Sequence, residues 1–148
     1  MSNVSRGLHE TVRRERCKFL SIAKKADLCV GDFVNPDHNR DPQLQLHPSI
    51  VERFQKGMHI CDVSSETTRC FTAGYGKNWV KSGSYFQHSE GIRLFHPLEV
   101  ASLLGHSLNQ IPAGLSYRQA WKLLGNSLSL FVMRPIVDAL INAEAKSS

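Results

Sequence analysis

Apolar positions follow two regimes along the chain. Up to about residue 95 they come in short bursts between polar, Gly- or Pro-containing stretches. From Pro97 onward they recur at helical spacing. Residues 1–12 are polar and mixed, and no core element is expected there. Residues 16–25 set Cys17, Phe19, Leu20 and Ile22 between charges, a short apolar run that suits a strand. Residues 31–48 carry Pro36, Pro42 and Pro48 with several Asp and Asn, and read as a connection between subdomains. Pro48 fits the first position of a short helix, with Ile50, Val51 and Phe54 on one face and Gly57 after its end.

Residues 59–95 predict β-leaning pieces at 67–72, 84–87 and 92–95, broken by Gly74, Gly76, Gly83 and Gly91. A helix is expected from Pro97, with Val100, Leu103 and Leu104 on one face and Gly105 closing it. Ser116 caps a second helix that runs to Leu124 and ends at Gly125. Asn126 or Ser127 caps a third, with Leu128, Phe131, Val132, Ile136 and Leu140 on one side. Pro135 should kink that helix or shift its start. No stretch is expected to reach the apolar length of a membrane span, and the N-terminus has no signal-peptide core.

Composition adds little to this pattern, but charge does. The 148 residues suit one modest domain. The net charge of +5 is uneven: residues 1–25 hold seven Lys or Arg against two Glu, and the rest balances at 11 against 11. That asymmetry fits an anionic partner such as nucleic acid, or a solvated tail. Cys17, Cys29, Cys61 and Cys70 form no CxxC pair, which favours reduced thiols and an intracellular setting over zinc or disulfides. The seven histidines show no metal-ligand spacing, and Gly74-Tyr75-Gly76 is only a GxG. Residue by residue, the reading stops at a soluble α+β domain with a basic start.

Three patterns in order go further. Arg14-Glu15-Arg16 leads into the first strand. Arg93-Leu94-Phe95-His96-Pro97-Leu98-Glu99 leads into a helix ending Leu103-Leu104-Gly105. Gln119-Ala120-Trp121-Lys122-Leu123-Leu124-Gly125-Asn126-Ser127-Leu128 follows. Together they resemble the last three motifs of the cytosine-5 methyltransferase family. Cys70-Phe71-Thr72, with Gly74-Tyr75-Gly76 behind it, is similar to the Cys-Phe-Thr block in the target-recognition region of the tRNA-methylating branch. The similarity runs over roughly residues 13–141.

The resemblance implies an α/β fold: the C-terminal part of a doubly wound S-adenosylmethionine-dependent sheet with an inserted loop-rich target-recognition region. The corresponding segments are 1–25, 26–91 and 92–148. It implies that Arg14 or Arg16 helps hold the target cytosine, a task suited to a permanently charged guanidinium. An ordinary basic cluster is the alternative. It implies that Asn126 and Ser127 lie near S-adenosylmethionine, while locally they form a helix–helix joint. It implies target recognition by Cys70, Phe71, Thr72, Tyr75 and Lys77. Phe71, Tyr75 and Trp79 either stack on RNA bases, with Lys77 and Lys81 on phosphates, or form a small core. Arg93 and Glu99 read as a structural pair. His96 stands where the family motif has Ser or Thr, and an imidazole is expected to cap about 1 kcal/mol less well.

Attack on cytosine C6 requires a cysteine thiolate, which the family carries in a Pro-Cys pair. Here the cysteines follow Arg16, Leu28, Ile60 and Arg69, and no Phe-x-Gly-x-Gly cofactor turn is present. The isolated chain is therefore expected not to catalyse methyl transfer. Its last helix should present its apolar side to a catalytic half that these residues do not include. The partners implied are tRNA or DNA, a chain supplying the catalytic half, and no membrane. The rival readings are a non-catalytic nucleic-acid-binding module and a partner subunit. The expected location is cytoplasmic or nuclear.

Overall fold

The computed structural model describes residues 28–107 and 111–145. It begins with two 3-10 turns, η1 (Val30–Phe33) and η2 (Pro36–Arg40). Asn35 caps η2: its side chain accepts the Asp37 amide at 3.0 Å, and Pro36 supplies the fixed φ of the first position. The connection expected at 31–48 is thus partly ordered by caps. Helix α1 (Pro48–Phe54) starts at the expected proline.

Three strands make a mixed sheet in the order β1-β2-β3. β1 (His59–Cys61) runs parallel to β2 (Ser84–His88), and β2 pairs antiparallel with β3 (Gly91–Leu94). The segment at 44–46 covers the free edge of β3: Leu94 N donates to Leu44 O at 2.8 Å, and Leu46 N donates to Ile92 O at 3.0 Å. An edge paired this way offers no template to another chain. The boundary expected at residue 91 falls inside the β2–β3 hairpin. β1 escaped the sequence pattern because three residues show no alternation. Residues 67–72 are not a strand. Their backbone bonds to Ser82 O and to the Ser84 hydroxyl rather than to a ladder.

Helix α2 (Pro97–Leu103) ends in a Schellman motif. His106 N donates to Ala101 O and Gly105 N to Ser102 O, each at 2.9 Å, with Gly105 at φ 81. Helix α3 (Tyr117–Gly125) opens on a Ser116–Gln119 capping box, as its sequence predicts. One core joins these parts. Leu44, Phe95, Val100 and Ala101 are fully buried, with Tyr75, Tyr85, Phe86, Trp121 and Leu124 around them.

Helix α4 (Leu130–Ala145) belongs to a second unit, separate from residues 28–127. It starts two to three residues later than expected. Ser129 O accepts the Val132 and Met133 amides, so the cap position is Ser129 rather than Asn126 or Ser127. The start has shifted, and Pro135 lies inside the helix without an N–H for Phe131 O. Of the apolar side expected for this helix, Leu128, Phe131 and Val132 are exposed, whereas Ile136 and Leu140 are partly buried. The stretch Tyr117–Ala143 does reach the length and apolar composition of a membrane span, against expectation. It is two helices broken at residues 126–129, and it carries Arg118, Lys122, Arg134 and Asp138.

Candidate nucleic-acid interface

Arg93 and Glu99 form the hub on which the site is built. Both are buried, 0% and 2% exposed. The guanidinium forks onto the carboxylate, Nη1 to Oε2 at 2.8 Å and Nη2 to Oε1 at 2.9 Å. Nε donates to Asn39 Oδ1 at 2.8 Å, and the Phe86 ring lies 4.8 Å beneath. Glu99 also accepts the amides of Asn35 (2.9 Å) and His96 (2.8 Å) and Nδ1–H of His38 (3.0 Å). One ion pair thereby ties η2, β3 and α2 together, which is the structural role read from the sequence. Burial alone would raise the Glu99 carboxyl. The hydrogen bonds and charge of Arg93, with the two amides, outweigh it and hold Glu99 below the ordinary range.

His96 caps α2 despite its unusual chemistry. Its Nδ1 accepts Leu98 N–H at 3.1 Å, while Glu99 returns to the His96 amide. The imidazole stacks on His38 with centroids 4.0 Å apart and meets Tyr117 edge-on at 4.8 Å. Burial first, then the neighbouring His38, push His96 down to about 4, against the opposing pull of Glu99 and Asp41. A neutral ring is what an Nδ1 acceptor needs. The sign of the pH effect follows. Between pH 6.5 and about 4 the unfolded chain protonates this residue and the native state does not, so stability falls as pH falls through that window. His96→Ser keeps a cap and should flatten the dependence of the urea midpoint on pH between these limits. An unchanged slope would sink this account.

A second column of side chains fixes the loop at residues 70–83. The Tyr75 hydroxyl donates to Ser84 O at 2.6 Å and accepts Phe95 N–H at 3.0 Å. Trp121 Nε1 donates to Phe95 O at 3.0 Å, and its ring packs against Gly76. Gly125, at the end of α3, lies against the backbone of Thr72 and Ala73. Loop and helix are thus locked together at two points.

The structure divides the residues expected to recognise a target. Phe71 and Tyr75 are core side chains, 9% and 1% exposed, so their rings are not open to a base. They belong inside because Phe71, Tyr75, Phe95 and Trp121 pack edge to face at 5.0–5.5 Å. Cys70, Thr72 and Lys77 are exposed. The Thr72 hydroxyl also accepts Gly74 N–H at 3.3 Å and shapes the turn. Arg14 and Arg16 lie outside the described residues. Asn126 is exposed, whereas the Ser127 hydroxyl donates to Leu124 O at 2.6 Å and contacts His106 Nε2 at 3.2 Å.

Two cations were missed by reading the sequence. Arg118 and Lys122, one turn apart on the exposed side of α3, belong to the helix that holds the loop. Residues 67–87 and 115–129 contain Arg69, Lys77, Lys81, Arg118 and Lys122 and no carboxylate. These two segments thus supply five exposed cations and no carboxylate of their own, although Asp41 reaches the start of α3 through the Tyr117 hydroxyl at 2.6 Å; clustered cations of this kind suit phosphates.

No family model matches the chain. The tRNA (cytosine(38)-C(5))-methyltransferases of Bos taurus and Homo sapiens are each 26% identical to it over 136 residues, which cover 74% of this chain and 34% of theirs. A methyltransferase of Entamoeba histolytica superposes with a TM-score of 0.70 at 21% identity, over 78% of this chain and 41% of that one. The Dnmt2 methyltransferase of S. pombe gives 0.69 at 21% identity, over 79% and 41%. The chain resembles the C-terminal part of the tRNA cytosine-5 methyltransferases. It spans about a third of the length of these curated relatives. The fold expected from the motifs is the one found: strands and a loop-rich region, then returning helices. The Cys-Phe-Thr block, the Arg93–Glu99 turn and the Gly125 joint all lie in the unit at residues 28–127.

Proposed function

We propose that this chain serves the target-recognition side of cytosine-5 methylation of tRNA, binding the RNA while the bond-making groups lie in a catalytic half. The observation that carries the reading is that residues 67–87 and α3, packed together at Gly76 and Gly125, supply the exposed cations Arg69, Lys77, Lys81, Arg118 and Lys122 and no carboxylate of their own. Such a surface releases counterions from phosphates on binding. The likeness to tRNA methyltransferases supports tRNA as that nucleic acid.

S-adenosylmethionine supplies the methyl group in this class of reaction when bound. The residues here fit the edge of its site rather than its cradle. Ser127 is committed to Leu124 O and His106, and neither Asn126 nor Ser127 brings a carboxylate for ribose hydroxyls. Asn126, exposed at the joint, is the one side chain of the pair free to face the cofactor. Arg14 and Arg16 retain their proposed hold on the cytosine. DNA is the alternative polynucleotide, and a separate chain carrying Pro-Cys is the proposed source of the missing thiolate. The setting proposed is the cytoplasm or nucleus.

Two measurements test the reading. An unmodified tRNA transcript should bind the 148-residue chain with an affinity that falls steeply with salt. Joint replacement of Arg69, Lys77, Arg118 and Lys122 by Ala should weaken binding about tenfold or more. Salt-independent binding, or none, would overturn the proposal. With tritiated S-adenosylmethionine and tRNA the chain alone should transfer no methyl group, and incorporation at cytosine C5 would refute its dependence on a catalytic half.

A further inference from the structure

The turn at residues 77–81 is Lys-Asn-Trp-Val-Lys, and it is anchored from beneath. Asn78 O accepts the Tyr85 hydroxyl at 3.1 Å and also the Ser82 hydroxyl. The Lys77 and Asn78 amides both donate to Gly74 O at 3.0 Å. Val80 packs so closely on Gly57 that a Cβ there would meet its γ-methyls at about 3 Å. Lys81 is held at φ 64, a left-handed conformation that a side-chain-bearing residue keeps only where its surroundings enforce it. The turn is therefore a fixed surface.

Its outward side has a distinct composition. Lys77 and Lys81 are exposed on either side of Trp79, and Lys56, next to Gly57, adds a third exposed cation. Trp79 is only partly buried, its ring 6.5 Å from that of Tyr85. With Phe71 and Tyr75 inside the core, it is the one of the three loop aromatics with appreciable exposed area. An aromatic flanked by cations on a rigid turn matches what an unpaired base requires: a π-face to stack on and charge for the phosphates beside it. Helical RNA cannot use such a face, because its bases are already stacked.

We propose that this turn is a base-stacking platform for single-stranded RNA, with Trp79 under one unpaired base and Lys77 and Lys81 on the flanking phosphates. The proposal rests on the tRNA-binding reading and narrows it from the molecule to an unpaired segment.

The test uses the full chain with two probes of equal charge, an RNA hairpin with an unpaired loop and a blunt duplex. The chain has two tryptophans, and Trp121 is buried, so quenching by the hairpin reports Trp79. Quenching should occur with the hairpin and be weak with the duplex. Trp79→Leu should lose on the order of 5- to 100-fold in hairpin affinity, while Trp79→Phe keeps most of it. Lys81→Gly, which relieves the left-handed backbone and should not impair folding, should reduce the slope of log affinity against log salt by about 0.7. Hairpin binding that is salt-dependent but unquenched, equal to duplex binding, or unchanged in Trp79→Leu would overturn the platform and leave the tRNA reading standing. Absence of binding to either RNA or to tRNA would overturn both.

Discussion

Glu99→Gln is expected to destabilise the chain by about 3–5 kcal/mol in urea denaturation at neutral pH. Five donors converge on this carboxylate: both Arg93 nitrogens, the amides of Asn35 and His96, and the His38 ring. The Gln side chain keeps the shape but sets an NH2 group among donors and leaves the buried Arg93 charge unmatched. That loss is a large share of the stability of an ordinary domain. The pair Arg93→Met with Glu99→Leu should cost less than the sum of the single changes, because a buried ion pair mostly repays its own desolvation. A Glu99→Gln protein within about 1 kcal/mol of the parent would show that the hub is not what joins η2 to α2. The same carboxylate sets an acid limit. Its folded pKa lies below 4.5, so its contribution is present above about pH 4.5 and is lost as pH falls through the lowered value.

Gly125→Ala should be the second severe change, costing about 1–3 kcal/mol or more. A Cβ at this position would approach the Thr72 carbonyl and the Ala73 amide within 3.0 Å, and these are backbone atoms that cannot rotate aside. Either α3 or the loop must move. The change should therefore lower the melting temperature and weaken tRNA binding together, since the loop and helix jointly display the cations. Leu123→Ala, exposed two residues earlier on the same helix, should shift stability by no more than about 0.5 kcal/mol and leave binding intact. Gly125→Ala with parental stability and affinity would mean that the loop is free of the helix.

These two expectations show how far local sequence carries. Helices α1, α2 and α3 were legible because their signals are local: Pro48 and Pro97 at first positions, Ser116 with Gln119, Gly105 after Leu104. β2 and β3 were legible as short runs between glycines, while β1 was too short to show a period. His96 was expected to be a poor cap from its residue type alone. It caps because burial beside His38 keeps its ring neutral, a property of surroundings supplied by residues far away in the chain.

For the site, the sequence by itself determined the motifs, their order, the positive balance and the pairing of Arg93 with Glu99. It also determined that Gly125-Asn126-Ser127 is a joint. Which aromatics face inward was left open by composition, because Phe71, Tyr75 and Trp79 look alike on a line. Tertiary structure decided it: Tyr75 bonds to Ser84 and Phe95 and is enclosed, while Trp79 sits on a turn and is only partly buried. Tertiary structure also brought the helix that carries Arg118 and Lys122 against the loop that carries Lys77 and Lys81, by packing Gly125 on Thr72 and Gly76 on Trp121. Caps and turns are set by neighbours within four residues and are written locally. A charged face is set by contacts between segments some fifty residues apart, and only the folded chain brings those together.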